Sequence, residues 1–242
     1  MKIGVAQTKP VKGDLERNIE NHKKLIHLAV KHGADMLVFP ELSLTGYEPG
    51  LAKNLATAIS DKRFDEFQAI SDTSRITIGV GIPTANTDGI NISMLLFQPQ
   101  AAREIYHKEY LHSDELPFFV TGKNTIGLIG NKSNTALAIC YELSVREHAE
   151  HAFKKGAEIY VASVAKTAGG MKKAIDRLAE IASNYSMIVL VSNCIGHCDD
   201  FDCGGKTSAW NNKGILIGQL NDIDEGVIVL DKETGEIIVE TI

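Results

Sequence analysis

Polar and apolar residues alternate over Lys2–Gln7, and this period of two predicts an opening strand that ends before Pro10. Asp14, after Gly13, is placed to cap a helix whose apolar positions Leu15, Ile19, Leu25, Ile26 and Ala29 fall on one stripe. Gly33 stands where a helix is commonly closed by glycine. Met36–Phe39 is then continuously apolar and stops at Pro40, the signature of a short buried strand. Strand, helix and buried strand in that order predict a βαβ-like start.

Further strands are predicted at 76–82, 90–97 and 103–106. Their connections are too short for crossover helices, so this stretch reads as antiparallel. The pattern continues with a strand at 134–139, a helix over 144–155 closed by Gly156, a strand at 158–162, an amphipathic helix over 171–185 and a strongly apolar strand at 187–192. Strands at 207–210, 215–219 and 227–230 follow, with one more near 236–239. No repeat, low-complexity tract or linker interrupts the chain. So many strands exceed what one open sheet accommodates, and two packed sheets with helices outside would account for them in a single α/β domain over residues 1–242.

With 242 residues, 44% hydrophobic, the chain can bury a core without disulfides or metal. A net charge of −6 with no overriding Lys/Arg cluster argues against a nucleic-acid partner. No apolar run reaches the ~18–20 residues that span a bilayer, and the N-terminus lacks a signal-peptide pattern. The expected setting is cytoplasmic, with the four Cys reduced.

Four polar residues stand at or just beyond strand ends, where a scaffold can aim them into a pocket. They are Glu41 in Phe39-Pro40-Glu41-Leu42-Ser43-Leu44-Thr45-Gly46-Tyr47, Lys108 in Tyr106-His107-Lys108-Glu109-Tyr110, Glu115 in Ser113-Asp114-Glu115-Leu116-Pro117, and Cys140 in Ala138-Ile139-Cys140-Tyr141-Glu142. Singly, each has an ordinary reading as a loop carboxylate, a surface lysine or a small buried thiol.

In combination and in this order, these motifs closely resemble the nitrilase superfamily of carbon–nitrogen hydrolases, and the resemblance runs nearly the whole chain. It includes Ile3-Gly4-Val5-Ala6-Gln7, Gly122, the helix bearing Ala182 and Asn184, Ser192-Asn193 with Gly196, and Gly205-Lys206-Thr207-Ser208. The resemblance implies a four-layer αββα sandwich. It also implies a general base at Glu41, a lysine at Lys108, a nucleophile at Cys140 and a second glutamate at Glu115, for which Glu109 is the nearest substitute. Tyr47, Phe119, Tyr141, Glu142 and Ser163 are the residues expected to bind substrate. No cofactor and no metal are expected. A small-molecule amide or carbamoyl substrate is implied, with hydrolysis of a non-peptide C–N bond through a thioester.

A small neutral amide is the preferred substrate. Many relatives carry an arginine four residues after the nucleophile, but here that position is Ser144, with Arg146 two further on. An N-carbamoyl amine, a nitrile and a non-catalytic binding role stay open. A glutaminase elbow of the Gly-x-Cys-x-Gly type does not match, because Ile139 and Tyr141 flank Cys140.

The run Cys194-Ile195-Gly196-His197-Cys198-Asp199-Asp200-Phe201-Asp202-Cys203 holds three thiols and a His without paired Cys-x-x-Cys spacing. It reads as a loop lining the substrate entrance, with Cys194 partly buried. A homodimer or higher homo-oligomer is expected through the helices after Cys140 and Gly170. Tail-swapped contacts are not expected, since few residues follow the last strand.

Overall fold

The computed structural model describes residues 1–124, 127–130 and 134–242. The first sheet collects strands from both ends of the sequence. Its members are β1 (Lys2–Gln7), β2 (Met36–Val38), β3 (Thr77–Ala85), β4 (Ile90–Phe97), β5 (Glu104–His107), β13 (Gly226–Asp231) and β14 (Ile237–Thr241), ordered β14-β13-β1-β2-β3-β4-β5. Pairing is parallel across β1, β2 and β3 and antiparallel elsewhere, including the stretch from β3 to β5. The second sheet, ordered β12-β11-β8-β7-β6, holds β6 (Thr135–Ile139), β7 (Ile159–Ser163), β8 (Ile188–Ser192), β11 (Ser208–Trp210) and β12 (Leu216–Gln219). Its β6, β7 and β8 are parallel.

Alternation along each strand sorts side chains between layers. Leu137 and Ile139 of β6 and Ile159 and Val161 of β7 enter the core between the sheets, where Ile3 and Val5 of β1 meet them. Ala136, Ala138, Tyr160 and Ala162 face the other way, onto α4 (Arg146–Lys154) and α5 (Ala168–Tyr185). The outer face of the first sheet is covered by α1 (Leu15–Lys31) and α3 (Asp65–Ser74). Between them in sequence lie β2 and the short α2 (Ala52–Leu55). The layers are therefore helix, sheet, sheet, helix, the αββα sandwich that the motifs implied. Asp14 caps α1 by accepting from the Arg17 N–H at 3.1 Å.

Three local expectations are corrected. Helix α3 was not foreseen, because only Phe67 and Ser71 of its ten residues are buried and the apolar stripe is too short to read. The helix expected over 144–155 divides into a tight 3₁₀ turn over Cys140–Ser144, extended Val145, and then α4. The entrance loop is a β-hairpin of β9 (Ile195–Cys198) and β10 (Phe201–Gly204), and Cys194 before it is fully buried.

Candidate active site

The segment carrying Glu41 is held from below. Phe39 donates its N–H to Gly79 O at 2.8 Å, and Leu44 donates to Gly81 O at 3.0 Å. Gly81 has no room for a side chain, since a Cβ there would lie 2.4 Å from Leu42 N and 2.5 Å from Pro40 O. Leu42 itself takes φ 51°, a left-handed conformation that costs energy in a branched residue. Beneath the turn, buried His22 stacks on Phe39 at 4.1 Å between centroids. Burial pushes His22 down to about 3, so its ring is neutral. Its Nδ1–H then donates to Asn18 O at 2.7 Å, which leaves Nε2 to accept from the Ser43 hydroxyl at 2.9 Å.

Lys108 follows β5 directly. Its N–H donates to Ile92 O at 2.9 Å, and its carbonyl accepts from Gly122 N at 2.9 Å. Gly122 is packed so closely that a Cβ would sit 2.0 Å from the His107 Cβ. The Lys108 ammonium is wholly buried and donates to Glu41 Oε1 at 2.7 Å and Glu115 Oε1 at 2.6 Å. Glu115 Oε1 also accepts from Tyr47 OH at 3.0 Å, and its Oε2 from His112 N at 2.8 Å. Glu41 Oε2 is buried with no partner at ordinary hydrogen-bond distance among the described residues, with the Cys140 thiol acting on the same carboxyl.

One cation between two carboxylates leaves this cluster net negative. Burial raises the Glu41 carboxyl, against the pull of Lys108, and the nearby Glu115 charge adds to the rise. For Lys108, burial alone would favour the neutral amine, but the neighbouring acidic groups, Glu41 foremost and Glu115 with it, outweigh it and hold the ammonium charged.

Cys140 follows β6 directly and begins the 3₁₀ turn with φ 46°. Such a left-handed non-glycine residue turns the chain sharply and presents its side chain at a corner. Burial and the Glu41 charge push its thiol up to about 11, opposed by Lys166 and Lys108. The thiol is therefore neutral at rest, with the Glu41 carboxyl acting on it.

Cys140 borders a cavity of about 210 Å³ whose walls include Tyr47, Glu115, Tyr141, Lys166, Thr167 and Phe201. Of the residues expected to bind substrate, Tyr47 and Tyr141 line it. Phe119 lies in the inter-sheet core, and the Ser163 hydroxyl donates to Phe39 O at 2.8 Å. Glu142 points the other way. Its Oε1 accepts from Glu109 N at 2.6 Å, and its Oε2 from Ile139 N at 2.7 Å and Tyr106 OH at 2.8 Å. It thereby ties the residue after Lys108 to the residue before Cys140. Burial raises its carboxyl to about 7, opposed by those amides. Ser144 and Arg146 are exposed and stand outside the cavity wall.

Sequence reasoning did not single out Lys166, His112 or Phe201, which the structure places on the cavity wall. Nothing in their local sequence marks them, since they arrive on turns after β5 and β7 and on the hairpin. Among the described residues, the only metal-ligating group of three is Cys194, Cys198 and Cys203.

A Glu–Lys–Glu cluster beside a cornered thiol, on an αββα frame, defines a class of hydrolase-like sites. The family model for the carbon–nitrogen hydrolases matches residues 2–237, and the chain belongs to that family. Among solved structures, an amidase from Nesterenkonia sp. AN1 superposes with a TM-score of 0.86 over 96% of this chain and 92% of that one, at 20% identity, a likeness of fold. Among curated proteins, a glutamine-dependent NAD(+) synthetase of Thermotoga maritima is 22% identical over 98% of this chain but only 42% of its own length. The chain thus spans about two-fifths of that relative. A hydrolase encoded in the pqqF 5′ region of Pseudomonas protegens is 26% identical over 96% of this chain and 84% of its own.

Proposed function

We propose that the protein is a cysteine-dependent amidase that hydrolyses a small amide through a thioester on Cys140. The observation that carries this reading is the buried Lys108 ammonium, held at 2.7 Å and 2.6 Å between Glu41 and Glu115 at the cavity that Cys140 borders. Glu41 accepts the thiol proton as sulfur attacks the amide carbon. Lys108 stabilises the oxygen as it becomes negative, joined by the Tyr141 N–H, which belongs to the first turn and is not engaged within a helix ladder. One such donor is worth roughly 3–4 kcal/mol in the transition state. The C–N bond then breaks, the leaving nitrogen takes the proton from Glu41, and ammonia departs. Water, deprotonated by Glu41, attacks the thioester, and the S–C bond breaks to return the thiol and release the acid. Glu115 holds Lys108 in place throughout.

The cavity volume suits a substrate of a few heavy atoms. A variant of the Nesterenkonia amidase holds butyramide, a ligand of that size. Lys166 favours a second reading. It lines the cavity and acts on Cys140, so it offers a cation that Ser144 does not, and an N-carbamoyl amine or amide bearing a carboxylate would be met by it. A hydrolysis screen of small neutral amides, carboxylate-bearing amides, carbamoyl amines and nitriles, with Cys140→Ala as control, separates these readings. Neutral aliphatic amides are expected to be cleaved best. Turnover surviving Cys140→Ala would overturn the mechanism.

A further inference from the structure

Three thiols converge beside the cavity without belonging to it. The β9–β10 register sets Cys203 opposite Gly196, which lies midway between Cys194 and Cys198 in the sequence. All three side chains are buried, and their sulfurs lie within 4.8 Å of one another, with Cys194 to Cys203 at 2.8 Å and Cys203 to Cys198 at 3.5 Å. A buried cysteine ordinarily packs as a small hydrophobe among carbon atoms. Here Cys203 lies within hydrogen-bond distance of both other sulfurs.

Metal–sulfur bonds of about 2.3 Å in a tetrahedral or trigonal set space sulfurs roughly 3.8–4 Å apart. The separations of 2.8 Å and 3.5 Å are shorter than that spacing, so the sulfurs would move apart by about an ångström or less to seat an ion. The donors are all sulfur, which excludes the oxygen-seeking Mg²⁺ and Ca²⁺ and selects soft cations. His197 does not join them: it is exposed on the outward side of the hairpin and paired with Asp202 at 3.1 Å.

We propose that Cys194, Cys198 and Cys203 form a trithiolate site for one thiophilic d¹⁰ ion, Zn²⁺ or Cu⁺. Binding displaces the three thiol protons and leaves a net charge of −1 with the divalent ion or −2 with the monovalent one. The Lys9 side chain crosses Gly196, and Lys12, paired with Glu48 at 2.6 Å, lies within electrostatic reach of Cys198. The bound ion would clamp the hairpin to its surroundings, because Cys194 O accepts from Gly205 N at 3.0 Å and Cys203 bridges to Thr167. Thr167 and Phe201 both face the cavity, and Phe201 lies 5.7 Å from the Tyr47 ring. The site would therefore set one wall of the pocket while leaving the reacting thiol free.

The test uses the full chain, reduced and metal-free under anaerobic conditions, titrated separately with Zn²⁺ and with Cu⁺ against a chromophoric chelator. One equivalent of at least one ion is expected to bind tightly, with release of thiol protons into weak buffer. Cys140→Ala is expected to retain that equivalent. Cys198→Ser and Cys203→Ser, each checked for native circular dichroism, are expected to lose affinity on the order of 100-fold or more. The proposal is overturned if neither ion binds at one equivalent, or if Cys140→Ala removes the site while Cys203→Ser retains it. It is equally overturned if protein purified without oxygen has a mass lower by two hydrogens from a Cys194–Cys203 disulfide.

Discussion

Glu41 and Glu142 are both wholly buried, and burial raises both carboxyls. They differ in what meets their oxygens. Glu142 is met by two backbone amides and a tyrosine hydroxyl, so its lone pairs are taken up by fixed dipoles. Behind it, Tyr160 OH, neutral His148 and Tyr106 OH complete a chain of bonds of 2.8–2.9 Å, with His148 pushed down to about 4 by burial. Glu41 gives one oxygen to Lys108, and among the described residues its other oxygen has no donor at ordinary hydrogen-bond distance, only the Cys140 thiol acting on the carboxyl. Leaving a buried acceptor unsatisfied costs about 1–3 kcal/mol. A fully engaged carboxylate serves as a bracket, whereas a half-engaged one keeps the capacity to accept a proton.

The sharpest way to break this contrast is Glu41→Gln, which keeps the shape but removes the base. Ammonia release from the best amide should fall by about 10³-fold or more, while the thermal midpoint stays level or rises. If that variant lost stability and kept activity, the two glutamates would have been assigned backwards. Gly81→Ala tests the foundation under Glu41. The added methyl has to displace the Pro40–Leu42 backbone, and a shift of that kind should lower kcat on the order of 100-fold, with a stability cost of about 1–3 kcal/mol by chemical denaturation.

Glu142→Gln should show the opposite balance. Its amide cannot accept from three donors at once, so unfolding free energy should drop by about 2–3 kcal/mol, with kcat changed less than about tenfold where the protein remains folded.

The smallest effect concerns pH. His22 is held neutral in the fold well below its ordinary 6.5, so the unfolded chain binds the extra proton first as pH falls. Its share of stability is intact above that value and is lost progressively as pH falls from 6.5 toward 3. Between pH 7 and pH 5 this is about 2 kcal/mol, and His22→Gln should remove that increment from the pH dependence of unfolding. Equal slopes in both proteins would show that His22 is not the buried neutral anchor of the Glu41 turn. The raised Glu41 carboxyl also places the acid limb of kcat/KM above the ordinary carboxylate range, since the base is lost as pH falls through its raised value.

Most of the strands were legible because alternation and continuous apolar runs report burial directly. Lys2–Gln7, Ile90–Phe97 and Ile188–Ser192 all fall where the pattern put them, within a residue. Glu41, Lys108, Glu115 and Cys140 stood out only through their order along the chain; in the structure Lys108 bridges Glu41 and Glu115, and Glu115 and Cys140 line one cavity. What stayed hidden depends on partners that no local window contains. Gly81 looks like any strand glycine until the Pro40–Leu42 turn is laid across it. Glu142 reads as a pocket residue beside Cys140, and only the sharp turn at φ 46° swings it toward β5. The β9–β10 hairpin lacks hydrophobic alternation because, apart from Ile195, its buried positions are filled by cysteine and glycine.

The antiparallel pairing of β1 with β13 joins Lys2 to Asp231 and Gln7 to Gly226. During synthesis β1 is made before β2 and meets it early, but its other edge is covered only once β13 has been made. Until then Lys2–Gln7 is an open sheet edge, the kind that pairs with other chains when left exposed. The order in which this sheet can finish folding is thus written into its topology, with β1 completed only after β13.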